Sequence, residues 1–202
     1  MSWITKNLFK CLSDIQPYGR YYASGTIEAF PPILEVDGIG RIAFPLVPKQ
    51  AEQLIAAAKR APYGKGHDTV VDIKIRRTWQ IDAELITLGG KHWSTLLDTI
   101  VAQASDNLGV AAAGVRAELY KLLIYDTGSF FVSHRDTEKT AGMFGTLVIV
   151  LPSLFRGGEL RSAITRKKSW SICIEKNRRR LPSRRFMPIA GMKSYRSPRV
   201  TD

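Results

Sequence analysis

Apolar and polar positions alternate in short runs along the chain, and twice the period changes from that of a strand to that of a helix. Residues 33–47 hold apolar pieces broken by Gly38, Gly40 and Pro45, a pattern that predicts short strands. Over residues 48–61 the period lengthens: Ala51, Leu54, Ile55 and Ala58 fall on one helical face, Pro48 suits the first turn, and Pro62 ends the run. Residues 63–67 read as a Gly-rich turn. Residues 69–77 alternate again, with Val71, Ile73 and Ile75 separated by polar neighbours, and predict a strand. Trp79, Ile81 and Leu85 continue a half-buried pattern into a loop at Gly89 and Gly90. A second helix is predicted over residues 92–108. Its apolar stripe is Trp93, Leu96, Leu97, Ile100, Val101 and Ala104, and Gly109 is placed to terminate it. The rest is strand-like: residues 119–125, a turn at Asp126, Thr127 and Gly128, an extended run over 129–133, and residues 146–151. Beyond Leu160 only residues 170–174 have strand character. Two helices followed by strands alone predict an α+β fold in which the helices buttress a β-sandwich or barrel.

A chain of 202 residues fits one domain with a sizeable core. The charge divides it. Its net charge is +12, yet up to Leu160 there are 17 Lys and Arg against 16 Asp and Glu, and beyond it 13 against 2. The boundaries expected from pattern and charge are a lead-in at residues 1–25, a folded domain at 26–160 and a poorly packed basic tail at 161–202. A basic tail usually suggests nucleic acid or an anionic surface. Here it lacks stacking aromatics in register and any known binding module, so nucleic acid is not the expected partner. The first 14 residues have neither the apolar core of a signal peptide nor the arginines of a transit peptide, and no apolar run is long enough to cross a bilayer. Cys11 and Cys173 make neither a disulfide framework nor a zinc spacing. The expected location is the cytoplasm or the nucleus.

The chemistry concentrates between residues 119 and 160. In a strand, residues i and i+2 share a face, so His134 and Asp136 can present an imidazole and a carboxylate together. That is two thirds of the 2-His-1-carboxylate triad that holds non-haem Fe(II). The chain has three histidines, His67, His92 and His134, and none follows the motif. His67 reads as a solvated turn residue and His92 as a helix-start residue. Trp79 and Trp93 read as core, while Arg76 and Arg77 suit either the border of a substrate cleft or a solvated strand edge. Phe130 and Phe131 point to opposite faces, one of them inward. Glu138 and Lys139 read as a loop ion pair.

Tyr125, Gly128, Phe130, His134 and Asp136, followed by the apolar run 145–152 and by Gly157-Gly158-Glu159-Leu160, resemble the Fe(II)/2-oxoglutarate-dependent dioxygenases, specifically the prolyl 4-hydroxylase-like branch. The resemblance is tightest over residues 118–160 and looser back to about Gly25. It implies a double-stranded β-helix, or jelly roll, buttressed by the N-terminal helices. It implies Fe(II) on His134 and Asp136, 2-oxoglutarate beside Tyr125, O2 as oxidant and ascorbate as an optional reductant. The reaction implied is substrate hydroxylation coupled to oxidative decarboxylation of 2-oxoglutarate, on a protein or peptide. No catalytic residue is implied beyond the metal ligands. The family also needs a distal histidine and, shortly after it, a basic residue for the far carboxylate of 2-oxoglutarate. Neither has a register in the tail, so the jelly roll is expected to be incomplete at its C-terminus and activity impaired. Two readings stand beside this one: a truncated, non-catalytic oxygenase homologue, and a binder of nucleic acid or anionic surfaces through the tail.

A shift of reading frame near Leu160 accounts for both the charge break and the missing histidine. If each new codon takes the third base of one residue and the first two of the next, Met187 followed by Pro188 requires alanine, and Met192 followed by Lys193 requires glutamate. The freer positions permit a histidine across Gly191 and Met192 and an arginine across Thr201 and Asp202. The resulting string resembles the family's distal-histidine strand.

Overall fold

The computed structural model describes residues 19–65, 68–134, 141–164, 167–171 and 187–196, with residues 65, 68, 69 and all those after 160 described through the backbone alone. The first strands are β1 (Ile33–Val36) and β2 (Gly40–Ile42), followed by helix α1 (Pro48–Ala57) and four short strands: β3 (Lys59–Arg60), β4 (Tyr63–Lys65), β5 (Asp68–Val70) and β6 (Arg76–Arg77). Then come β7 (Trp79–Asp82), a 3-10 turn at Ala83–Leu85, β8 (Ile86–Gly89) and helix α2 (Trp93–Asn107). The remaining strands are β9 (Val115–Tyr125), β10 (Phe130–Phe131), β11 (Met143–Val150), β12 (Leu160–Ile164), β13 (Lys167–Ser171) and β14 (Met187–Arg196). The fold is mixed α+β, as the pattern of periods predicts.

The largest sheet has five antiparallel strands in the order β11-β14-β9-β7-β3. β9 is its backbone: it pairs with β7 on one side, Leu122 opposite Ile81, and with β14 on the other, Leu123 opposite Ile189. A three-stranded sheet, β2-β1-β8, lies alongside, and β6 with β10, β12 with β13 and β4 with β5 form three two-stranded ribbons. From Leu160 onward, where the sequence suggests a poorly packed tail, three strands are described, and β14 occupies the slot between β9 and β11.

β9 carries two different faces because its side chains alternate. Leu122 and Ile124 are fully buried, on the side covered by α1. They join Leu34 and Val36 of β1, Ile42 of β2, Leu46, Ala51 and Leu54 of α1, Ile81 of β7 and Leu151 in one apolar cluster. A β-bulge at Tyr120, which the register with β14 skips, interrupts the alternation: before it Arg116, Glu118 and Tyr120 are exposed, while Leu119 packs against the cluster. On the opposite face Lys121, Leu123 and Tyr125 are half-buried.

Helix α1 forms where the 3.6-residue period places Ala51 and Leu54 inward, with Pro48 in its first turn. The Gln50 side chain ties it to the end of β2, accepting from Ala43 N at 2.9 Å and donating to Arg41 O at 2.9 Å. The helix stops at Ala57 rather than Ala61. Ala58 is extended, which frees Lys59 and Arg60 to pair with Gln80 and Trp79. Sheet hydrogen bonding thus overrides helix propensity in the last turn. Helix α2 runs as predicted, and Gly109 follows it at φ +64°, a left-handed conformation that glycine adopts without steric cost. Its start, His92, makes no side-chain cap. Trp93 is buried and Trp79 packs against the core, as expected of both.

The strand expected over residues 69–77 is two strands and a turn. Asp72 breaks it: its carboxylate accepts from Lys74 N at 2.8 Å, and its carbonyl accepts from Ile75 N at 3.1 Å and Arg76 N at 2.9 Å. Such a local side-chain bond offers the backbone an alternative to a ladder. Val71 and Ile73 are left 53% and 58% exposed as a consequence.

Candidate functional site

The approach to the site begins where β9 ends. Tyr125 is half-buried at the last position of the strand, on the face opposite the apolar cluster, and its backbone pairs with Met187. The chain then turns tightly. Ser129 N donates to Asp126 O at 3.0 Å, Ser129 Oγ donates to the Asp126 carboxylate at 2.5 Å, and Asp126 N donates back to Ser129 Oγ at 3.0 Å. Gly128 sits in this turn at φ +79°, and a β-carbon there would stand 3.4 Å from Arg77 Nη1. The turn therefore requires glycine for its left-handed conformation, while a β-carbon would meet Arg77 only at ordinary contact distance.

β10 follows and pairs antiparallel with β6, Phe131 directly opposite Arg76. One further bond, Val132 N to Ile75 O at 3.0 Å, carries the ladder to the edge of His134. The His134 ring folds back over this edge. Nδ1 lies 2.9 Å from Val132 O. A carbonyl oxygen only accepts, so Nδ1 carries the hydrogen and the lone pair of the neutral ring resides on Nε2. Metal-binding histidines are commonly oriented in this way, one ring nitrogen donating to a carbonyl and the other ligating. The imidazole is stacked on Phe131, with ring centroids 3.6 Å apart and planes 21° apart. Arg76 lies on the other strand with its guanidinium carbon 4.4 Å from the Phe131 ring centroid, and it donates through Nη1 to Pro62 O at 2.8 Å. Arg76 is 7% exposed, whereas Arg77, next in sequence, is exposed. Of the two phenylalanines, Phe130 is exposed and Phe131 half-buried.

The contact of Nδ1 with Val132 O is compatible with a metal ligand that would use Nε2. Asp136, the expected second ligand, lies outside the described residues, as do His67, Glu138, Lys139, Cys11 and Cys173. Among the described residues no group of three or more His, Cys, Asp or Glu side chains is arranged to hold a metal ion. Tyr125 and His134 belong to adjoining segments, on either side of the Asp126–Ser129 turn.

A separate cleft of about 420 Å³ opens towards the other end of the sheet, between β7 and the start of β9, lined by Gln80, Asp82, Ala83, Glu84, Glu118, Leu119 and Tyr120. Its lining includes neither Tyr125 nor His134. A polar network borders it: Lys59 bonds to the Asp82 carboxylate, Gln80 Nε2 donates to the same carboxylate at 2.6 Å, and Lys121 Nζ donates to Gln80 Oε1 at 3.0 Å. The Lys59 hydrogen bond, aided by Gln80 and by the charges of Lys59 and Lys121, holds the Asp82 carboxyl below its ordinary range against an opposing effect of burial.

Nothing in the spacing of the sequence points to Arg76 and Phe131 as neighbours of His134. The contact depends on the β6–β10 register and on the Asp72 turn that sets it. What these observations define is a mixed α+β protein with a histidine held at the edge of a small β-ribbon. Compared with protein-family models, with curated proteins and with solved structures, the chain matches none significantly. Among the described residues, no helix is long and apolar enough to cross a membrane.

Proposed function

We propose that the chain is an Fe(II)/2-oxoglutarate-dependent dioxygenase by descent, of the prolyl 4-hydroxylase-like branch, with an incomplete iron site and impaired catalysis. The observation that carries this reading is the placement of His134: its Nδ1 lies on Val132 O, an orientation in which Nε2 would be the ligating nitrogen. The motif around it, from Tyr125 through Gly128 and Phe130 to Asp136, supports the same assignment.

The wiring of the strands supports a jelly roll. β9 and β11 are not neighbours. Between them the chain leaves the large sheet for β10, which pairs with β6, and returns. β12 and β13 again lie outside that sheet, and β14 comes back to fill the slot between β9 and β11. Strands that leave one sheet and return to it, with a late strand closing beside an early one, are what Greek-key and jelly-roll connections produce.

In this reading Fe(II) supplies activation of O2 coupled to decarboxylation of 2-oxoglutarate, chemistry that side chains alone lack. His134 and Asp136 bind the metal, Tyr125 borders the cosubstrate, and a protein or peptide is the substrate. No histidine follows His134 in the sequence, so Fe(II) would be held by His134 and Asp136 alone, more loosely than by a full triad. The test is anaerobic Fe(II) titration of the whole chain and of His134→Ala. Loss of Fe(II) binding in the variant is expected, and an unchanged affinity removes the assignment.

A further inference from the structure

We propose that Arg76 is a positioning residue for His134, acting through Phe131. Phe131 contacts both other groups: the Arg76 guanidinium carbon lies 4.4 Å from its ring centroid, and the His134 imidazole is stacked on it. Arg76 and Phe131 are direct cross-strand partners, so the ladder sets their contact. Phe131 then meets the imidazole nearly face to face at 3.6 Å. Arg76 is itself held in place: its side chain donates to Pro62 O, its own amide donates to Asp72 O, and it is buried. A cation over a ring is held by the ring's quadrupole, so a fixed guanidinium holds the phenyl plane, and the phenyl plane limits rotation of the imidazole. The bond from Nδ1 to Val132 O fixes one edge of the imidazole, and the stack fixes its face. Together they leave the ring one orientation, in an otherwise exposed position on the protein surface.

The consequence for metal binding rests on the reading of His134 as an iron ligand, whereas the stack itself does not. Two measurements separate them. The first is the NMR signal of the His134 ring protons, which the face of Phe131 shifts by its ring current. Arg76→Met is expected to move these lines towards the positions of an unstacked histidine, and Arg76→Lys to restore part of the shift because it keeps the cation. The second is anaerobic Fe(II) affinity. Arg76→Met is expected to weaken binding about 10-fold, as loss of an outer-sphere orienting group does, and to have no further effect in a Phe131→Leu background. Arg77→Met, at the exposed neighbour, serves as control and leaves both readouts unchanged. Circular dichroism and thermal melting confirm that each variant is folded. Ring lines that stay in place in folded Arg76→Met overturn the proposal, as does an equal loss of affinity with and without Phe131. If His134→Ala leaves Fe(II) affinity intact while Arg76→Met shifts the ring lines, the iron reading fails and the positioning role stands.

Discussion

The two halves of β9 make a sharp stability prediction, because the strand passes across a bulge at Tyr120 from exposed charged positions into the core. Glu118 and Leu122 lie four residues apart, on either side of the bulge at Tyr120. Glu118 is exposed and pairs with Arg116 at 3.1 Å, with both side chains more than half in solvent. Leu122 is 1% exposed and belongs to the cluster that joins β1, β2, α1, β7 and β9. Leu122→Ala removes buried methyl groups and leaves a cavity that flanking β-structure cannot close, so the expected loss is about 3 kcal/mol within the usual range of ~2–5. Glu118→Ala loses a screened surface pair and should change stability by less than about 0.5 kcal/mol. Equilibrium urea unfolding followed by tryptophan fluorescence measures both. With a slope of about 2 kcal/mol per molar urea, the Leu122 variant should unfold roughly 1.5 M earlier and the Glu118 variant at the wild-type midpoint. A loss below about 1 kcal/mol for Leu122→Ala, or equal losses for the two variants, would show that β9 does not run under the α1 cluster and would refute the placement of the core.

Asp82 should make stability depend on acid. Its carboxyl is held below its ordinary value of 3.8 by Lys59, so the folded state favours the charged form. The stabilisation is present above that value and disappears as pH falls through the lowered folded value. The stability gap between wild type and Asp82→Asn should therefore shrink as urea titrations move from pH 6 to pH 3 and below, and a gap independent of pH would contradict the network. Gly128→Ala forces a β-carbon into a left-handed turn, at a cost of about 1–2 kcal/mol, measurable by thermal melting. A melting temperature equal to wild type would mean that the Asp126–Ser129 turn has another conformation. The purified chain should form little succinate from 2-oxoglutarate and Fe(II), and turnover typical of an intact dioxygenase would show that another residue supplies the third ligand.

Helix α2 was legible nearly to the residue because its information is local: an apolar stripe at 3.6-residue spacing and a glycine just past its end. α1 was legible for the same reason up to Ala57. Its last turn was not, since Lys59 and Arg60 find strand partners in Trp79 and Gln80 that lie some twenty residues away. The run after Thr69 failed differently. Val71, Ile73 and Ile75 have the alternation of a strand, but the Asp72 carboxylate competes with the ladder and wins locally. β14 lies in a stretch whose composition suggests no order, and it is a strand only because β9 and β11 leave a two-sided slot for it.

The candidate site divides along the same line. The sequence alone determined which chemistry to look for, because a histidine, a carboxylate two residues on and the flanking Tyr125 and Gly128 are encoded within a dozen residues. Only the tertiary structure decided how His134 is held: which ring nitrogen donates, that Phe131 rather than Phe130 lies against it, and that Arg76 is buried near the Phe131 ring while Arg77 is exposed. These are properties of register. A one-residue slip between β6 and β10 would exchange the two arginines and the two phenylalanines across the ribbon, and no local pattern in either strand specifies that choice.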